Sequence, residues 1–160
     1  MKKLLFILIA ISIANFSFSQ NKKKTKLEIP KKTNLIEVTT NYSSKKEALN
    51  DIVRILLQEG IEPEKIDSSS FFITTGAYGA EPIDVKLMFS IKEKVDTIFV
   101  SITGKFIYNI EIKIGAVTSK SSWSRIEYKG MQGSPIRKSW DLMHKFTILI
   151  PNKNIKYIIK

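Results

Sequence analysis

Apolar and polar positions alternate over Ile36, Val38, Thr40 and Tyr42, with Glu37, Thr39 and Asn41 between them. That is the period of a half-buried strand. The period then changes. Ala48, Leu49, Ile52, Val53 and Leu56 fall at i, i+1, i+4, i+5 and i+8, along one face of a helix. Ser44 and Glu47 form a capping box at its start, in which Ser44 accepts from a backbone N–H and Glu47 reaches back. Gly60, with Pro63 beyond it, supplies the stop. These signals predict a helix over 45–59.

The middle of the chain returns to period two. Phe71 to Thr75 reads as a strand ended by Gly76, and Ala77 to Asp84, with Gly79 and Pro82, reads as a loop. Val85, Leu87, Phe89 and Ile91 alternate with polar neighbours, Glu93 to Asp96 makes a turn, and Ile98, Val100 and Ile102 resume the pattern. This predicts a hairpin. Ile110, Ile112 and Ile114 alternate before Gly115. Ser124 to Lys129 reads as one more strand, with Ile126 and Tyr128 facing one way and Arg125 and Glu127 the other.

Near the end, Ser134 and Pro135 form a helix entrance. Ile136, Trp140, Met143, Phe146 and Ile150 fall on one stripe at helical spacing, opposite Arg137, Lys138, Asp141 and Lys145, and Pro151 stops the run. Phe146 to Ile150 also suits a strand. The order β-α-β-β-β-β-β-α, with short links in the middle, predicts an α+β fold: a single antiparallel β-sheet with two helices packed on one face. Ile52, Leu56, Trp140 and Met143 are then expected to be buried together, and Trp123 to lie on the surface.

That order resembles small exported bacterial domains with a TATA-binding-protein-like or helix-grip arrangement. Among them are the domain of the outer-membrane assembly lipoprotein C and secreted domains of Bacteroidetes-type bacteria. The resemblance spans roughly residues 35–150. It rests on the capped helix Ser44–Glu59 after the first strand, the β meander and the Trp140 helix. It implies a fold and an envelope location, and it carries no site residue across.

The first nineteen residues agree with such a location. Met1-Lys2-Lys3, an apolar core from Leu4 to Ile13 and small residues at Ser17 and Ser19 form the layout of a cleavable signal peptide. The apolar core is about half the length a spanning helix requires. We therefore read 1–19 as signal peptide, 20–33 as a basic flexible leader and 34–160 as a single α+β domain. No transmembrane segment is expected after cleavage. The sequence contains no cysteine, so no thiol is present to carry a lipid, form a disulfide, act as a nucleophile or ligate zinc. The expected location is periplasmic or secreted, and not that of a lipoprotein.

The formal net charge of +11 is unevenly spread: residues 113–160 hold ten Lys/Arg against two Asp/Glu, while residues 34–112 hold eight against twelve. Lysine-rich segments attract anionic polymers and lipid head groups. Export disfavours nucleic acid. In the basic region Trp123, Arg125, Tyr128, Arg137 and Lys138 interleave aromatic rings with cations, a mixture suited to phosphate, glycan or partner surfaces. These five are the candidate binding surface.

Other constellations read as structural. His144 is the only histidine, so no His-based metal cluster can be built around it, and no serine pattern marks a nucleophile. Glu59, Glu62, Glu64 and Asp67 flank Gly60 and Pro63 in what reads as a solvated loop, without the spacing of a calcium loop. Gly76 to Ala80 lacks the lysine and helix cap of a phosphate cradle. The expectation is a non-enzymatic binding module of the bacterial envelope, needing no cofactor or metal, that takes a protein partner or an anionic envelope component. The alternatives are an envelope hydrolase using carboxylates such as Glu59 and Glu64, or a small-ligand carrier with its pocket between helix and sheet.

Overall fold

The computed structural model describes residues 28–109, 112–114, 117–119 and 121–160. The signal peptide read at 1–19 lies outside the described residues. One sheet organises the fold. It contains β1 (Leu35–Thr40), β2 (Pro63–Asp67), β3 (Phe72–Thr75), β4 (Tyr78–Ala80), β5 (Ile83–Lys94) and β6 (Thr97–Tyr108). A short hairpin, β7 (Ile112–Ile114) with β8 (Val117–Ser119), forms a separate two-stranded sheet. β9 (Ser124–Arg125) and β10 (Asn152–Ile158) complete the main one. Its order is β10-β1-β6-β5-β3-β2, with β4 added to β5 and β9 to β6, and its pairings are antiparallel.

Two helices, α1 (Lys45–Gln58) and α2 (Pro135–Leu149), cover one face. Ser44 caps α1 by accepting from the Glu47 N–H at 3.1 Å, and the Glu47 carboxylate reaches back one residue further than the capping box predicts, to the Ser43 N–H at 2.7 Å. Gly60 then takes a positive φ of 71°, and the Ile61 N–H closes the end onto the Leu56 carbonyl. Ser134 and Pro135 open α2 as expected. The helix runs through the segment that also suited a strand, because Phe146 is needed inside: its ring meets Phe89 edge-to-face at 5.3 Å.

The core lies between helices and sheet. Ile52, Leu56, Trp140 and Met143 are buried in it, together with Val85, Leu87 and Phe89 of β5 and Val100 and Ile102 of β6. The alternation of buried and half-buried residues along β5 and β6 leaves Lys86, Met88, Ser101, Thr103 and Lys105 on the face away from the helices.

Five details depart from the sequence reading. Pro63–Asp67, read as loop, is edge strand β2; its charged side chains hid the alternation, and charge is what protects an exposed edge. Tyr78–Ala80 within the predicted loop pairs with β5. The strand predicted over Ser124–Lys129 ends at Arg125, because Tyr128 pairs elsewhere: its N–H donates to the Thr33 carbonyl at 2.7 Å and its carbonyl accepts from the Lys32 N–H at 3.0 Å. The same bonds tie the end of the stretch read as a leader into the fold, and Thr33 is fully buried. Finally, the chain past Pro151 returns as β10, pairing with β1 from Leu35↔Ile158 to Thr40↔Asn152. No helix among the described residues is long and apolar enough to cross a membrane.

Candidate binding surface

Gly104 fixes the geometry of the surface. A Cβ at this position would lie 2.7 Å from Ile126 Cδ1, 2.8 Å from Leu87 Cδ2 and 3.1 Å from the Lys86 carbonyl. Without one, buried Ile126 closes onto the strand and its N–H donates to the Gly104 carbonyl at 3.0 Å. β9 is thereby held against β6 in a register that sets Arg125 opposite Lys105 and Ser124 opposite Phe106.

Lys105 is also the partner of Lys86 across β5 and β6. Three cations therefore stand in one row on three neighbouring strands, on the face the helices leave uncovered. Like charges directly opposite one another in a sheet are unfavourable. Lys86 is compensated: its Nζ lies 2.9 Å from the Glu64 carboxylate and 5.7 Å from the centre of the Trp123 ring. Among the described residues Lys105 and Arg125 pair with no Asp or Glu side chain. Arg125 instead donates from Nη1 to the Lys160 carbonyl at 3.2 Å.

Beside the row lies a hollow of about 210 Å³ lined by Asn34, Leu35, Met88, Thr103, Gly104, Lys105, Arg125 and Lys160. Asn34 builds its rim. Its side-chain amide donates to the Lys160 carbonyl at 2.9 Å and accepts from the Lys160 N–H at 3.0 Å, extending the β1–β10 pairing past Ile158. Trp123, two residues before Arg125 and 39 % exposed, stands at the other end of the row, over Lys86.

The five residues singled out from the sequence divide between two places. Trp123 and Arg125 belong to this row. Tyr128 and Arg137 lie in the helix layer, where the Arg137 guanidinium sits 4.2 Å from the Tyr128 ring centre and its Nε donates to Asp141 at 3.1 Å, while Tyr128 packs edge-on against Trp140 at 5.3 Å. Lys138 is exposed on α2, beside an open groove with Asp141, Leu142, Lys145 and Ile83. In their stead the fold supplies Lys86 and Lys105, which sequence reasoning missed. Gly104 in the middle of an alternating strand was the available signal, since a lone glycine there marks close backbone approach.

The remaining titratable groups are structural in their surroundings. His144 stacks between Trp140 and Tyr157, with ring centres 6.1 and 5.8 Å away, and burial lowers its proton affinity despite Asp141 nearby. Burial works against the ionised form of Asp51, but hydrogen bonds from Tyr42 and Arg54 outweigh it and hold the carboxyl below its usual range. Glu59 pairs with Lys145 of α2 and Glu64 with Lys86 on the uncovered face, so these two carboxylates occupy opposite sides of the sheet. Among the described residues no three His, Asp or Glu side chains gather to hold a metal ion.

A second cavity, of about 180 Å³, lies between the helix layer and β4, lined by Glu59, Ile61, Tyr78, Gly79, Leu142, Lys145 and Phe146. The Tyr78 hydroxyl is buried without a hydrogen-bond partner, and burial together with the Glu59 charge keeps it protonated.

No protein-family model matches this chain, and no curated protein matches it either.

Proposed function

We propose that the chain is a non-enzymatic binding module of a bacterial cell envelope, exported by its signal peptide to the periplasm or beyond, and that it takes an anionic envelope component on the row Lys86–Lys105–Arg125. The observation that carries this reading is the cross-strand pair Lys105↔Arg125, two like charges set opposite each other with no Asp or Glu side chain paired to either among the described residues. Such a pair opposes folding, and an anion bound between the two would relieve it. The export signal and the resemblance to secreted envelope domains support the location.

Neutralising the row is the test. Lys105→Gln with Arg125→Gln should weaken binding to anionic vesicles or polymers and flatten its dependence on salt. Unchanged binding in the double variant removes the row from the function. Mass spectrometry of the mature protein should find its first residue at or near Gln20; a Met1 start in envelope fractions would refute export.

A small-ligand carrier is the second reading, favoured by the cavity under Tyr78 and its unpartnered hydroxyl. Leu142→Trp would fill that cavity. If small apolar molecules that raise the melting temperature of the parent no longer do so in the variant, the cavity is a ligand site; if none raises it in the parent, the carrier reading falls.

A further inference from the structure

We infer that the anion taken by this face is an acidic carbohydrate chain, with one sugar ring against Trp123 and its acid groups on Lys105 and Arg125. The inference rests on the anion-binding reading above and names the ligand class. Three features of the face go beyond bare positive charge. Trp123 is an exposed indole on the same side of the strand as Arg125, and it adjoins the cation row instead of the core. Aromatic rings offer a flat apolar surface to the C–H face of a sugar, which an inorganic anion or a polypeptide carboxylate does not require.

The hollow beside Arg125 is a second feature. At about 210 Å³ it is below the roughly 300–1,000 Å³ of drug-sized pockets, a size for one sugar unit and no more. Its lining also fits: the Thr103 hydroxyl can meet a ring hydroxyl, while Leu35 and Met88 form an apolar floor. Third, the row runs across the strands. Neighbouring strands lie about 4.8 Å apart, so the backbones of Lys86, Lys105 and Arg125 span about 10 Å. That is room for successive acid groups of an extended polymer. A lipid surface would call for further apolar side chains around the cations, and Trp123 is the one large exposed apolar residue identified beside the row.

Three probes separate the contributions: an oligogalacturonide, which has both sugar and carboxylate; poly-glutamate, which has carboxylate alone; and dextran, which has sugar alone. Binding is measured by titration calorimetry at low salt, for the parent, Trp123→Ala and Lys105→Gln/Arg125→Gln, each checked for a cooperative melting curve with a midpoint no lower than the parent's. The parent should bind the oligogalacturonide more tightly than poly-glutamate and should not bind dextran measurably. Trp123→Ala should lose about tenfold toward the oligogalacturonide, the upper range for one aromatic contact, and little toward poly-glutamate. The double variant should lose both polyanions.

If Trp123→Ala weakens both polyanions equally, or neither, while the double variant still loses them, the carbohydrate inference is overturned and the anion-binding reading stands. If the double variant binds like the parent, or no polyanion binds, both are overturned.

Discussion

His144 Nε2 lies 2.7 Å from the Tyr157 hydroxyl, with the two rings stacked at 19° to one another. The contact joins α2 to the last strand of the sheet and closes the aromatic stack that begins at Trp140. Burial makes the charged imidazolium unfavourable there. The charged groups facing it are Asp141, which favours the proton, and Arg137, which opposes it.

A pH dependence follows from this contact. The folded-state pKa of His144 is depressed below the ordinary 6.5, so below about pH 6.5 the unfolded chain binds the proton first. The His144 contribution to stability should therefore be fully present above that point and be lost as the pH drops below 6.5. This is the only histidine in the chain, and the depressed carboxyls Glu47, Asp51 and Asp67 titrate at lower pH. Urea midpoints at pH 7.5 and 5.5 should differ in the parent and converge in His144→Gln. An equal pH slope in both proteins would show that another group is responsible.

The close approach at Gly104 gives a second expectation. Gly104→Ala places a methyl against Ile126 Cδ1, Leu87 Cδ2 and the Lys86 carbonyl. Side-chain ends can shift, but the carbonyl belongs to the sheet and cannot move freely. Such overpacking should cost ~1–3 kcal/mol. Adding Ile126→Val, which removes the nearest methyl, should recover part of the loss. If Gly104→Ala is as stable as the parent, β9 is not held by this contact.

The two tryptophans should separate core from surface. Trp140 is 1 % exposed and Trp123 39 %. Trp140→Ala should cost ~3–5 kcal/mol, a large share of the ~5–15 kcal/mol that holds a domain together. Trp123→Ala should change stability by less than about 0.5 kcal/mol. Denaturant titration of both variants reads the contrast, and the reverse order would place the candidate surface on the wrong tryptophan.

Much of this architecture is legible in the hydrophobic pattern, for a physical reason. α1, β5 and β6 each bury one face completely, so their periods are strong and their caps and turn follow from local chemistry. The elements that escape notice are edges. Among the described residues Pro63–Asp67 and Asn152–Ile158 each have only one neighbouring strand and keep Glu64, Lys65, Lys153 and Lys156 exposed, which blurs the alternation. The candidate surface was half legible. Trp123 and Arg125 stand out as an aromatic and a cation close in sequence. Lys86 and Lys105 join them only through strand register, which is long-range information. Tyr128 and Arg137 drop out because Ile126 turns the chain toward the helix layer just after β9.

Lys105 should show a conflict between stability and binding. It faces Lys86 on one side and Arg125 on the other, so it bears two unfavourable cross-strand contacts at once. Removing its charge should relieve both. Lys105→Gln and Lys105→Met are each expected to raise stability by ~0.2–1 kcal/mol at low ionic strength, and the gain should shrink as salt screens the parent's repulsion. The methionine variant keeps the length of the apolar stem, so it separates charge from lost packing. Both variants should bind polyanions less tightly than the parent. Urea titrations at low and high salt, run beside a binding assay, read the two effects in one set of proteins. Loss of stability in both variants would mean that Lys105 supports the sheet. The charge row would then be a structural feature, and the search for a ligand would move to the cavity under Tyr78.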